Sequence, residues 1–224
     1  MSEQSEVIIP IFGILDVTGE VITMWILIAL AAVISLIVKL NLRERPGVFQ
    51  NMIEAGVEYL DNYFTGLLGK QKTRKYIFFL GSLFIFILAA NYSGMFPGVG
   101  LTKFVKAPTA SLSVTLGLGI VAFLFLQIAG IRAGAKKYFK RFISPVAFIL
   151  PLILLDEFIK PVSLAFRLFG NVSGEESVIE NLYELCPIGA PVIMMALSIL
   201  FCALQAIVFT MLVSLYLEEE LESE

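Results

Sequence analysis

The stretch Lys160-Pro-Val-Ser-Leu-Ala-Phe-Arg167-Leu-Phe-Gly-Asn171-Val-Ser-Gly-Glu-Glu176 sets an arginine in the middle of a long apolar region. In hydrocarbon, a lone guanidinium costs at least ~2.5–3.5 kcal/mol on insertion scales. It does not escape by losing its proton, because its pKa stays above about 12. Such a charge is kept for use, held in a structural salt bridge, or snorkels to a membrane edge. Arg167 lies far from either apparent edge, which disfavours snorkelling. It also has no acid within one helical turn: Glu175 and Glu176 come eight and nine residues later.

Read as a helix, the stretch and its lead-in place Asp156, Lys160, Ser163, Arg167, Asn171 and Gly174 at steps of three or four. That spacing makes one polar stripe. Asp156 and Glu157 precede Lys160 by four and three residues, so this cation has local partners. On the last apolar run, Ser198, Cys202 and Gln205 form a second, uncharged stripe. Facing each other, the stripes predict a polar seam with an arginine at mid-depth. Plainer readings stand beside this one: interhelical hydrogen bonds for Asn171 and Gln205, an interfacial charge network for Asp156, Glu157 and Lys160, and an exposed turn for Glu175 and Glu176.

The whole chain supports a membrane setting. Of 224 residues, 58% are hydrophobic and 16% charged, with a mean hydropathy of +0.89. A soluble domain carries roughly 25% charged residues. There is no His, which removes imidazole as metal ligand or proton shuttle. Cys186 and Cys202 lack metal-ligand spacing and read as small buried apolar residues. A net charge of −3 without a basic tail gives nucleic acid nothing to bind. There is no phosphate-binding loop, nucleophile–base pair or metal cluster, and no cofactor is expected. The acidic start, Met-Ser-Glu-Gln-Ser-Glu, is unlike a cleavable signal peptide.

Taken in order, residues 1–20 are an extracytoplasmic lead, and 21–40 a first span with Trp25 near its start. Residues 48–69 alternate apolar and acidic positions at helical intervals and predict an amphipathic interfacial helix, ended by Lys70, Lys72, Arg74 and Lys75. Further spans are expected at 76–93, 110–131, 142–176 and 187–217, with a solvated acidic tail at 218–224. Asn91 to Gly98 closes the second span, and Gly117 and Gly119 allow close helix approach in the third. Pro145, Pro151 and Pro161 break the fourth, and Cys186-Pro187 opens the fifth. The fold class is thus an all-α polytopic membrane protein with about five crossings. The Lys/Arg-rich first and third loops put the N-terminus outside and the C-terminus in the cytoplasm. Residues 188–217 as one helix would be roughly 45 Å long, against about 30 Å of hydrocarbon. The last two helices therefore read as a long, tilted hairpin, suited to wall off another object in the membrane. Gly130 and Gly134 match a small-residue motif only at a helix end, and the sequon at Asn171 lies within a membrane helix; neither is given a role.

Pro161-Val-Ser-Leu-Ala-Phe-Arg-Leu-Phe-Gly-Asn171 resembles the signature of subunit a of F-type ATP synthases. Asn91 through Pro97, Pro108-Thr109-Ala110, Lys160-Pro161 and Leu204-Gln205-Ala206 recur in the order that family shows, over roughly residues 20–217. The resemblance implies a non-catalytic, ion-translocating subunit in a bacterial inner membrane, partnered by a ring of c subunits, peripheral-stalk b subunits and the rest of the synthase. It implies that Arg167 faces the c ring, with Asn171 and Gln205 as polar neighbours. Two offset aqueous half-channels would carry protons or sodium ions to and from the ring, coupling ion flow to ATP synthesis. Glu176 matches the half-channel acid by spacing, with Glu175 one residue away. The pair Asp156-Glu157 resembles an upstream acidic position. The chain departs from the family at Ser111 and Ser113, where relatives often carry Asp and Asn, and at Ser198, where some carry His. A secondary transporter binding an anion at Arg167, and a scaffold using it as a staple, are the rival readings; the first would be expected to show internal repeats, and none is seen.

Overall fold

A computed structural model describes residues 9–11, 15–41, 47–95, 107–143, 150–185 and 189–222. The expected turns at Pro46 and Pro97-Gly98, the break at Pro145, the opening at Cys186-Pro187 and the last two tail residues lie outside them. Two short strands, β1 (Ile9–Ile11) and β2 (Leu15–Val17), pair antiparallel within the lead, a small addition to an otherwise helical fold. The helices are α1 (Gly19–Asn41), α2 (Val48–Leu68), α3 (Lys70–Ser93), α4 (Leu112–Ile143), α5 (Leu150–Leu185) and α6 (Ala190–Glu222).

Four of these are long and apolar enough to cross a membrane: α1, α3, α4 and α6. α5 is longer, at 36 residues, but its stretch from 156 to 176 carries Asp156, Glu157, Lys160, Arg167, Glu175 and Glu176. Charge, not length, sets it apart. Much of the exterior of the bundle is apolar; Trp25, Leu40, Phe78 and Ile193 are all more than half exposed. In water this would be a liability, whereas in lipid it is the solvated surface.

Several boundaries differ from expectation. The basic residues after Gly69 begin α3 instead of ending α2. Gly69 adopts φ +76°, a conformation that disfavours a side chain, so the chain turns there and starts a new helix. The buried Thr73 hydroxyl reaches the carbonyls of Gly69 (2.9 Å) and Phe64 (3.1 Å), tying the two helices together. α4 runs past 131 into the basic segment, with a kink at Gly134. α5 extends nine residues beyond 176. α6 continues through Glu222, so the acids at 218–222 are helical and partly packed rather than a solvated tail: Glu220 is only 3% exposed.

One core holds the bundle together. Leu60, Phe64 and Leu68 of α2 lie on one face, at steps of four. They join Leu80 and Ile87 of α3, Ala122 and Leu126 of α4, Leu164 and Leu168 of α5, and Phe209, Val213 and Leu217 of α6. Phe79 and Phe125 stack with centroids 3.5 Å apart, locking α3 to α4. Pro108–Ala110 forms a 3-10 turn whose Thr109 is fully buried, and it leads the chain into α4.

Candidate functional site

α5 and α6 pack antiparallel, and their polar stripes meet towards the two ends of the pair but not at Ser163 and Arg167 between them. Lys160 pairs with Glu219, Asn171 with Gln205, and Glu175 approaches Cys202. From Lys160 to Glu175 the α5 number rises by 15 while its α6 partner falls from 219 to 202, a drop of 17. Such near-equal opposite steps define an antiparallel helix pair. The polar contacts fall into two clusters, one towards each end of the seam.

The first cluster centres on Lys160, which is 8% exposed. Its ammonium lies 3.0 Å from Glu219 Oε2, 3.6 Å from Glu157 Oε1 and 3.7 Å from Asp156 Oδ2. It also sits 5.3 Å from the centre of the Tyr216 ring. Gln127 Nε2 of α4 donates to Glu157 Oε2 at 3.2 Å. A small cavity opens here, lined by Phe123, Leu126, Glu157, Lys160, Pro161 and Glu220, among others. Asp156 and Glu157 were predicted to pair with Lys160; Glu219, Tyr216 and Gln127 were not. The signal was available, because the α6 stripe continues from Gln205 through Phe209, Leu212 and Tyr216 to Glu219 at steps of three or four.

The second cluster lies where α5 and α6 meet the end of α3 and the Pro108 turn. Asn171 Nδ2 donates to Gln205 Oε1 at 2.5 Å. Cys202 Sγ is 3.9 Å from Glu175 Oε2, and the buried Ser198 flanks the same carboxylate. Asn91 of α3 donates to the Cys202 carbonyl at 3.3 Å, and Tyr92 to that of Ile199 at 3.1 Å. Glu176 points elsewhere than Glu175: a side chain built at Gly94 would meet Ala107 at 2.8 Å and Glu176 Oε1 at 3.6 Å. The two acids thus address different neighbours, α6 for Glu175 and the α3 end for Glu176. Asn91, expected only as part of a closing turn, is a member of the cluster. Three polar atoms here are buried without a partner among the described residues, Asn91 Oδ1, Thr109 Oγ1 and Gln205 Nε2, while the buried Ser198 hydroxyl has the Glu175 carboxylate beside it.

Arg167 lies between the clusters, seven residues past Lys160 and eight before Glu175. It is exposed and has no hydrogen-bond or ion-pair partner among the described residues. This corrects the expectation of an arginine enclosed in the seam: Arg167 and Ser163 sit on the outer face, while Leu164, Ala165 and Leu168 are buried against the bundle. At about 100° per residue Arg167 falls on a different side of the helix from Ala165 and Leu168, and packing decides which side is buried. Cys202 is a buried free thiol, as its apolar setting suggested; Cys186 lies outside the described residues. Among the described residues, no three Asp, Glu, Cys or His side chains gather closely enough to hold a metal ion.

The fold and the seam define a multi-pass membrane protein with a partly buried polar line along two long helices and, on its surface, an arginine with no counter-charge among the described residues. The sequence model of the family described as ATP synthase A chain matches residues 21–218. The chloroplastic ATP synthase subunit a of Oedogonium cardiacum is 34% identical over 209 residues, which cover 91% of this chain and 83% of that protein. Its counterpart from Stigeoclonium helveticum is 34% identical over 212 residues, covering 92% and 86%. The chain belongs to the ATP synthase subunit a family. Membership brings with it the rest of the ATP synthase as partner.

Proposed function

We propose that this chain conducts the coupling ion, H⁺ or Na⁺, between two offset half-channels and the carboxylates of a rotating c ring, without catalysing a chemical step itself. One observation carries the reading: Arg167 is exposed midway between two polar clusters, with no partner among the described residues. An unpaired guanidinium on a lipid-exposed face is costly. A carboxylate supplied by another chain removes that cost.

The second cluster suits a water-lined route. Buried polar atoms nearly always have a hydrogen-bond partner, and water serves where protein does not. The three orphaned atoms at Asn91, Thr109 and Gln205 ask for such water beside Glu175 and Glu176. The two acids then relay ions without the Asp, Asn and His that the resemblance leads one to expect at Ser111, Ser113 and Ser198, which contribute hydroxyls at most. The first cluster, around Lys160, Glu157 and Asp156, suits the opposite half-channel. Between them, Arg167 attracts an ionised ring carboxylate and makes passage of a neutralised one unfavourable. This blocks a direct leak while permitting rotation, and the permanence of the arginine charge is what the role requires.

In this reading α5 also crosses the membrane, bringing the crossings to five, with its charges turned to protein and ring. The N-terminus is outside, the acidic end of α6 is cytoplasmic, and the b subunits pack on the remaining surface. The membrane is an energy-coupling one, a bacterial inner membrane by the sequence reading and a chloroplast membrane by the relatives' names. The test is Arg167→Ala in the reconstituted synthase. Ion-driven ATP synthesis is expected to vanish while the c ring and soluble head still copurify. Retained synthesis would falsify the assignment.

A further inference from the structure

α4 approaches α5 more closely at one point than any side chain would allow. The inner face of α4 runs through Thr115, Gly119, Ala122, Leu126 and Ala129, all buried. A Cβ on Gly119 would lie 2.7 Å from the Pro161 carbonyl oxygen and 3.4 Å from the Ala165 Cβ. The nearer contact is with backbone, so no side-chain rotation relieves it. Gly117, also expected to permit close approach, meets nothing within 4 Å and is exposed. The two glycines two residues apart therefore do different things.

What the contact controls lies on the other side of α5. Arg167 is two residues past Ala165, about 200° further around the helix. Displacing the Pro161–Ala165 turn away from α4 therefore pushes Arg167 outwards. Pro161 makes this the point that yields, since its ring deprives the Glu157 carbonyl of its helical donor. We propose that Gly119 is a positioning residue for Arg167: its missing side chain seats α4 against α5 and so sets how far the guanidinium stands out towards the partner moving past it. This rests on the reading that Arg167 faces a c ring. A guanidinium that stands too far out either jams the ring or shifts off the path of its carboxylate.

The experiment uses the complete synthase in vesicles, with Ser163→Cys, exposed on the Arg167 face, as a cross-linking reporter to cysteines placed along the outer helix of the c subunit. Gly119→Ala is expected to lower ATP-driven ion pumping and ion-driven synthesis roughly tenfold, since ~1 Å of misplacement can cost about 100-fold. The complex should remain assembled, and the cross-linking rate should change severalfold. Gly117→Ala should alter neither. Ala165→Ser, a milder push from the other side of the contact, should shift cross-linking in the same direction. Unchanged cross-linking and pumping in Gly119→Ala overturns the proposal. If that variant fails to assemble, unchanged cross-linking in Ala165→Ser overturns it instead. Absence of any cross-link to the c subunit in the otherwise unaltered chain would sink the functional reading itself, a result distinct from failure of the Gly119 inference.

Discussion

Removing Lys160 and removing Glu219 break the same 3.0 Å contact, yet they should differ severalfold in cost. The Lys160 side chain is 10% exposed and that of Glu157, 3.6 Å away, 9%; the Glu219 side chain is 48% exposed. Lys160→Met therefore strands a buried carboxylate. Breaking a buried pair from one side costs about 3–5 kcal/mol. Gln127 still donates to Glu157, which places this case near the low end, at about 3 kcal/mol. Glu219→Gln leaves Lys160 with Asp156 and Glu157 and removes a half-exposed partner, so it should cost about 0.5–1 kcal/mol. Replacing both buried members, in Lys160→Met/Glu157→Leu, should recover most of the loss, because a well-packed apolar pair needs no compensating charge. Denaturant titration in mixed micelles, followed through Trp25 fluorescence or helical circular dichroism, gives the three values. If Glu219→Gln costs as much as Lys160→Met, or if the double variant is worse than the single, the burial argument is wrong.

Asn171→Leu should destabilise the chain by about 1–3 kcal/mol, since it leaves the buried Gln205 oxygen unpaired, and Asn171→Leu/Gln205→Leu should restore much of that in the same titration. In reconstituted vesicles, Glu175→Gln and Glu176→Gln should each slow ion-driven ATP synthesis, and the double variant should lose about 100-fold or more, the scale of a positioned proton-transfer group. A double variant with undiminished synthesis rules out these acids as the relay.

Much of the site was legible because it obeys one period. Asp156, Lys160, Ser163, Arg167 and Asn171 recur every three or four residues, as do Ser198, Cys202 and Gln205, so their co-alignment follows from helix geometry alone. The pairing of the two stripes followed from their being consecutive long helices. What escaped was the depth of each position. The α6 stripe runs on into the acidic end, but composition marked those residues as solvated; only packing against α5 gives Glu219 a partner and buries Glu220. Asn91 read as turn chemistry because its partner, the Cys202 carbonyl, is 111 residues away.

The sequence by itself determined that the chain is helical and membrane-bound, that α5 and α6 each carry a polar line, and that an arginine without a local acid lies on the first of them. These are consequences of residue type and spacing. Tertiary structure alone decided that Arg167 faces outwards, that Glu175 and Glu176 address different helices, and that Gly119 but not Gly117 carries the close contact of α4 with α5. Spacing assigns a residue to a side of its helix, but which side is buried depends on where neighbouring helices settle.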